Sequence, residues 1–173
     1  MAITNPVSDK PKALIALDQS SSAVGWVVFL NGVFESSGVL KPDPPHFDLL
    51  RYWVKDMVGT LKDDGYTVEV AVESIYMAIY GGRPQVQTFK VLAQTQAHIW
   101  AAARDMKVEV SEVTAYDAMK SLTGINKVAT KRDVRKEAMI ANATRLIGQP
   151  VSEHESDAYG LALAYLQRQA ISL

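Results

Sequence analysis

At 173 residues, with 48% hydrophobic and 21% charged residues, the chain has the size and balance of one globular domain, which excludes a disordered segment and a coiled rod. It contains no cysteine, so a disulfide framework, a thiol nucleophile, an iron–sulfur cluster and thiolate-held zinc are all ruled out, and any metal must be held by oxygen or imidazole. The net charge of −1 conceals an asymmetry: residues 1–119 carry 10 Lys and Arg against 14 Asp and Glu, residues 120–145 carry 7 against 2, and residues 146–173 carry 1 against 3.

Read in chain order, a polar N-terminal tail over residues 1–12 leads into the apolar run Ala13-Leu14-Ile15-Ala16-Leu17, a buried strand that ends at Asp18. Two further strands, at residues 24–30 and 33–40, are joined by Asn31-Gly32, which supplies the two positive-φ positions of a tight hairpin turn. The prolines of Lys41-Pro42-Asp43-Pro44-Pro45 interrupt the chain, and Phe47, Leu50, Trp53, Val54, Met57, Val58 and Leu61 then recur at helical spacing, predicting an amphipathic helix over 46–62. A fourth strand is expected at 67–73. Gly81-Gly82 breaks the chain before a long helix over 84–106, and residues 107–113 alternate like a fifth strand. Three helices close the chain, with Thr114, Thr130 and Ser152 as N-caps, and Ser152-Glu153-His154-Glu155 has capping-box spacing. Three hairpin strands followed by alternating helices and strands predict an α/β fold: a mixed five-stranded sheet, three strands antiparallel and two then parallel, flanked by helices and spanning 1–173 as one domain.

The apolar runs, such as residues 26–30, fall far short of the roughly 20 residues of a membrane span, and the first twelve residues have no apolar signal core. A soluble protein without membrane association is expected, in a reducing cytoplasm, whether bacterial or virus-encoded and acting in its host.

The chemistry gathers at the strand ends. Asp18 and Glu73 each close an apolar strand, where rigid backbone holds a carboxylate at the edge of the sheet. Each by itself is equally an Asx-turn or a solvated strand end. If their strands are neighbours, the two carboxylates lie side by side and repel unless a cation sits between them. On the closing helix His154 and Asp157 are i and i+3 and share a face, whereas Glu155 points about 100° away and is the cap partner of Ser152. Such an oxygen-rich donor set with one imidazole suits Mg²⁺ or Mn²⁺ better than zinc. Two such ions about 4 Å apart can activate water and stabilise the leaving oxygen in phosphodiester hydrolysis.

The strand carrying Asp18, the segment Glu73-Ser74-Ile75-Tyr76-Met77, the long helix after it and the closing His154-x-x-Asp157-Ala158 helix resemble the RuvC-type Holliday-junction resolvases of the RNase H-like nuclease superfamily, in the same order over about residues 13–166. The resemblance implies a nuclease that resolves four-way DNA junctions by paired nicks, leaving 5′-phosphate and 3′-hydroxyl ends. It puts the metal ligands at Asp18, Glu73, Asp157 and His154, the last where many members have Asp and some have His. It implies Mg²⁺, with Mn²⁺ able to substitute, as two ions per site. Lys120 and Lys131 correspond to two catalytic-face lysines, and Tyr76 to an aromatic that intrudes on the junction's bases. Gln19-Ser20 stands where members commonly have Pro-Gly.

With that resemblance in view, the basic segment with Lys120, Lys127, Lys131, Arg132, Arg135 and Lys136 is expected to meet the closely spaced phosphates of a crossover. Tyr76 must be exposed to unstack bases, while its neighbours Ile75, Met77 and Ile79 make a packed ring the competing expectation. The long helix has more apolar surface than one stripe, with Ala93, Ala97 and Ala101 forming a small-residue row; packing on its own sheet explains one face, and the resemblance implies a homodimer contact through 84–106 for the other. His98 on that helix is expected to be packed, away from any metal. Two rivals are weighed. Residues 18–25 also resemble the first phosphate loop of actin-like ATPases and sugar kinases, but 173 residues leave no room for a second lobe. A catalytically inactive junction-binding protein of the same fold would lack an acid, and here every matched ligand position is filled.

Overall fold

The computed structural model describes residues 10–20, 22–41, 47–76, 79–80, 83–125 and 131–171. In chain order these form β1 (Lys12–Gln19), β2 (Val24–Leu30), β3 (Val33–Leu40), α1 (Phe47–Asp63), β4 (Thr67–Glu73), β5 (Ile79–Tyr80), β6 (Arg83–Pro84), α2 (Val86–Asp105), β7 (Val110–Val113), α3 (Ala115–Thr123), α4 (Arg132–Ile147) and α5 (Glu153–Ile171). The main sheet has the order β3-β2-β1-β4-β7, with β2 antiparallel to β1 and β3, and β1, β4 and β7 parallel. The expected five-stranded mixed sheet is therefore present. Asn31 and Gly32 take φ of 50° and 81°, as the hairpin requires.

Three local expectations change. The fifth main-sheet strand begins at Val110 instead of residue 107, because Lys107 adopts a φ of 55° and its N–H and that of Val108 turn back onto the carbonyls of Arg104 and Ala103, ending α2. Pro84 does not open the long helix: it pairs with Ile79 in the short antiparallel ribbon β5–β6, and α2 starts at Val86. Helix α4 has Lys131 at its N-cap with no side-chain cap, so the expected cap Thr130, which lies outside the described residues, is not the capping position. The other two caps hold. The Asp117 N–H donates to Thr114 Oγ1 at 3.1 Å, and the Glu155 N–H donates to Ser152 Oγ at 3.2 Å.

Strand alternation divides the core into two layers. Ala13, Ile15 and Leu17 of β1 with Val68, Val70 and Val72 of β4 pack under Leu50, Val54 and Val58 of α1 and Ile99, Ala102 and Ala103 of α2. Leu14 and Ala16 with Ala71, Val27 and Phe29 pack on the opposite face under α3, α4 and α5. The residue after Leu17 and the residue after Val72 therefore continue the α5 face, and the residue after Asp18 returns to the α1–α2 face. Among the described residues, no helix is long and apolar enough to cross a membrane.

Candidate active site

β1 and β4 run parallel in register through Leu17↔Val72, so Asp18 and Glu73 emerge next to each other at the C-terminal edge of the sheet. Asp18 is only 5% exposed. Helix α5 brings the other two residues. Its start is fastened twice: the Ser152 N–H donates to Glu155 Oε2 at 2.9 Å in a reciprocal capping box, and Ser37 Oγ of β3 donates to Glu155 Oε1 at 2.8 Å. Gly25, paired with Asp18 across β1 and β2, lets this first turn settle on the sheet, since a Cβ there would lie 2.1 Å from the carbonyl oxygen of His154. His154 Nδ1 consequently lies 3.4 Å from Asp18 Oδ2. Asp157, one turn further on, takes the same helix face.

Burial and crowding then set the protonation of these groups. Burial, followed by the charge and hydrogen bond of Asp18 and the charge of Asp157, pushes the Glu73 carboxyl up to about 9, against an opposing pull from Lys136. Burial and then Asp18 raise Asp157 to about 7, opposed by Lys136, His154 and Arg132. The hydrogen bond to Asp18 raises His154 above its ordinary value despite desolvation. Among the described residues, no three His, Asp or Glu side chains are drawn together as a finished metal cage. The donor chemistry nonetheless fits a hard divalent cation, because three carboxylates with one imidazole share a partly buried strand edge where like charges cannot all ionise without a counter-charge.

A cleft of about 450 Å³ opens beside the carboxylates; its lining includes Glu73, Asp157, Tyr76, Arg132, Arg135 and Lys136. Tyr76 is 65% exposed, so it is not a core aromatic. Lys136 is fixed by an ion pair with Glu153 in the first turn of α5, and its charge and that of Arg132 oppose the upward push on Asp157. Lys120 and Lys131 do not line this cleft; they are exposed in the last turn of α3 and at the N-cap of α4. Lys127 lies outside the described residues. On α2, His98 stacks on Phe47 with ring centroids 5.3 Å apart, which accords with a packed role, while Ala97 and Trp100 remain exposed on the outer face. Sequence reasoning missed the part played by Gly25 and the Lys136–Glu153 pair. A glycine within an apolar strand is the available signal for the first; nothing local announces the second.

The family model for the crossover junction endodeoxyribonuclease RuvC matches residues 48–165. None of the curated proteins matches the chain in sequence at a significant level. Among solved structures, the chain is similar to T. thermophilus RuvC in complex with Holliday junction substrate, at 16% identity and a TM-score of 0.71, covering 93% of this chain and 96% of that one. A second Thermus thermophilus RuvC structure gives 17% identity, a TM-score of 0.64 and coverage of 92% and 96%. The yeast mitochondrial Holliday junction resolvase Ydc2 gives 9% identity, a TM-score of 0.55 and coverage of 91% and 78%. These likenesses show a shared fold that extends over more of the chain than the family match does.

Proposed function

Because the chain belongs to the crossover junction endodeoxyribonuclease RuvC family, we propose that it resolves four-way DNA junctions by paired symmetric nicks, hydrolysing phosphodiesters to 5′-phosphate and 3′-hydroxyl ends. One observation carries the reading: the acids of β1, β4 and α5 meet at one edge of the sheet, beside a cleft whose cations come from α4. Asp18, Glu73, His154 and Asp157 would hold Mg²⁺ or Mn²⁺, in one or two sites. Such ions, when bound, supply water activation and neutralisation of charge on the phosphodiester.

The remaining work falls to the chain itself. Two adjacent strands hold Asp18 and Glu73 on rigid backbone, so their separation does not depend on a loop. Lys136, restrained by Glu153, and Arg132 present positive charge toward the same cleft and would bind a phosphate close to the carboxylates. Arg135, Lys120, Lys127 and Lys131 would extend the phosphate contacts along the arms of the junction, giving an affinity that falls as salt rises. Tyr76 offers an exposed ring at the mouth of the cleft, suited to unstacking a base pair at the crossover. The open outer face of α2, with Ala97 and Trp100, supports a homodimer that places two sites symmetrically on one junction.

The test is direct. The protein is incubated with a synthetic four-way junction, a fork and a linear duplex, in Mg²⁺ and in EDTA, and the cuts are mapped on each strand. Symmetric nicks in the junction that require Mg²⁺ are expected. Binding to the junction with no cut in Mg²⁺ or Mn²⁺ would overturn the catalytic reading.

A further inference from the structure

We infer that Gln19 and Gln96 are positioning residues that grip the backbone of Glu73 from behind and so set the metal affinity of the strand-end site. The inference rests on the reading of Glu73 as a metal ligand. The β1–β4 register ends at Leu17↔Val72, one step before the carboxylates, while Glu73 still pairs with Val113 of β7. A side chain of β1 reaches across beyond that point. Gln19, whose backbone still pairs with Val24 of β2, donates its Nε2 to the Glu73 carbonyl at 2.6 Å. From α2, Gln96 Nε2 approaches the same carbonyl at 3.5 Å and Glu112 Oε1 at 3.2 Å.

Alternation along β1 makes this arrangement possible. Asp18 points to the α5 face and Gln19 to the α1–α2 face, so consecutive residues supply a carboxylate and a grip on the neighbouring strand. Both glutamines are buried, at 4% and 8% exposure, on a layer otherwise made of Leu17, Val72 and Ile99. Gln19 Oε1 has no hydrogen-bond partner among the described residues. A buried amide oxygen left unmatched opposes folding, so an apolar side chain of equal length would serve packing better. The amide's contribution is therefore the hydrogen bond to Glu73, which fixes where that peptide lies relative to Asp18. Groups that orient a ligand from behind in this way typically alter metal affinity or activity by about 10 to 100-fold when removed.

Gln19→Met keeps length and removes the amide. Three quantities are compared with wild type: the unfolding midpoint in EDTA, Mn²⁺ affinity of the full chain by calorimetry, and the Mn²⁺ concentration giving half-maximal junction cleavage. An unchanged or higher midpoint is expected, with Mn²⁺ affinity lowered by about 10-fold or more and half-activation moved by a similar factor. Gln96→Met should shift both metal readouts in the same direction but less, because its bond is longer. A purely structural role would move the midpoint and leave the metal readouts alone, which would overturn the inference. Should Gln19→Met not fold, Gln19→Asn, one methylene too short to reach the carbonyl, decides by the same two readouts: wild-type values overturn the inference and a loss supports it. A wild-type chain that binds no Mn²⁺ overturns the metal-site reading and this inference together. Wild-type binding matched by the variant overturns the inference alone.

Discussion

Asp105 and Glu73 are both carboxylates, one on the α1–α2 side of the sheet and one on the α5 side, and the fold treats them in opposite ways. At the last residue of α2, Asp105 receives Arg51 Nη2 at 2.5 Å and Lys55 Nζ at 3.4 Å from α1, and the hydrogen bond from Arg51 foremost holds its carboxyl below the ordinary range. Asp117 is likewise held down, first by the Thr114 hydroxyl and, against burial, by Arg168 at 2.6 Å. At the strand edge, Glu73 and Asp157 are pushed upward by burial and by Asp18, and the nearby Lys136 is engaged by Glu153. Acids that fasten helices are given bases; those at the sheet edge are crowded against one another. That arrangement opposes folding unless a cation joins it, which marks the strand edge as a place shaped by binding rather than by stability.

The contrast breaks first at Glu73. Glu73→Gln removes the charge of one proposed ligand at nearly constant shape and should reduce Mg²⁺-dependent junction cleavage by about 10³-fold or more, the consequence of losing several kcal/mol of transition-state stabilisation. Junction binding should survive, and the metal-free variant should unfold no earlier than wild type near pH 8, because a neutral amide replaces a carboxyl that resists ionising. Cleavage within a few-fold of wild type would remove Glu73 from the metal site.

Gly25 comes next. Gly25→Ala places a Cβ against the His154 backbone, which has to retreat and carry the start of α5 with it. A loss of stability of about 1–3 kcal/mol is expected in denaturant titrations, as for other overpacked sites, together with a large drop in cleavage even at temperatures where the variant is fully folded. If cleavage per folded molecule stays at the wild-type level, the contact does not set the position of His154.

Much of this could be read from one dimension, because period-two alternation, the Asn31-Gly32 turn and the Ser152 capping box are local signals. They sufficed to define the strands and the start of the closing helix; the meeting of Asp18 and Glu73 stayed conditional on neighbouring strands, and their grouping with His154 and Asp157 came from the family resemblance. What escaped depends on contacts that leave no periodic trace. The β5–β6 ribbon has only two residues in each strand, too few to alternate visibly, and the left-handed turn at Lys107 arises in a residue type that gives no warning of it. The Lys136–Glu153 pair and the reach of Gln19 to Glu73 join residues that only the folded sheet and helices bring together. The sequence reading placed Lys136 among DNA contacts; the structure sets it beside the carboxylates, and Asp18 moves His154 upward.

Stability against pH sharpens the comparison further. In the unfolded chain Glu73 ionises near the reference value of about 4.3, whereas in the folded, metal-free protein it holds its proton to about 9. Between those limits the folded state binds more protons than the unfolded one, so its contribution to stability is greatest at low pH and is lost as pH rises; Asp157 adds the same sign up to about 7. Melts in EDTA should therefore show a midpoint that falls between about pH 5 and about pH 9, with the upper part of the fall absent in Glu73→Gln. Saturating Mn²⁺ should flatten or reverse the slope, since the metal takes the ionised forms and expels their protons. A midpoint in EDTA that rises steadily through this range would contradict the crowded-carboxylate description.

The smallest effect belongs to the paired acid. Asp105→Asn removes the charge that Arg51 and Lys55 meet, but this group lies at the surface, where water competes for all three side chains and salt screens their attraction. The pair joins α1 to α2 over a layer that is already closed by Val54, Val58, Ala102 and Ala103, so the helices keep their contact without it. The sign of the pH effect is opposite to that at Glu73: a carboxyl held below its unfolded value adds stability above that value and loses it only as pH falls through the lowered one. Asp105→Asn should thus leave the unfolding midpoint near pH 7 within error of wild type, leave Mg²⁺-dependent cleavage unchanged, and flatten only the acid end of the stability curve. A fall in cleavage as large as that of Glu73→Gln would show that the junction of α1 with α2 also governs the strand edge, and the division between fastening acids and binding acids would fail.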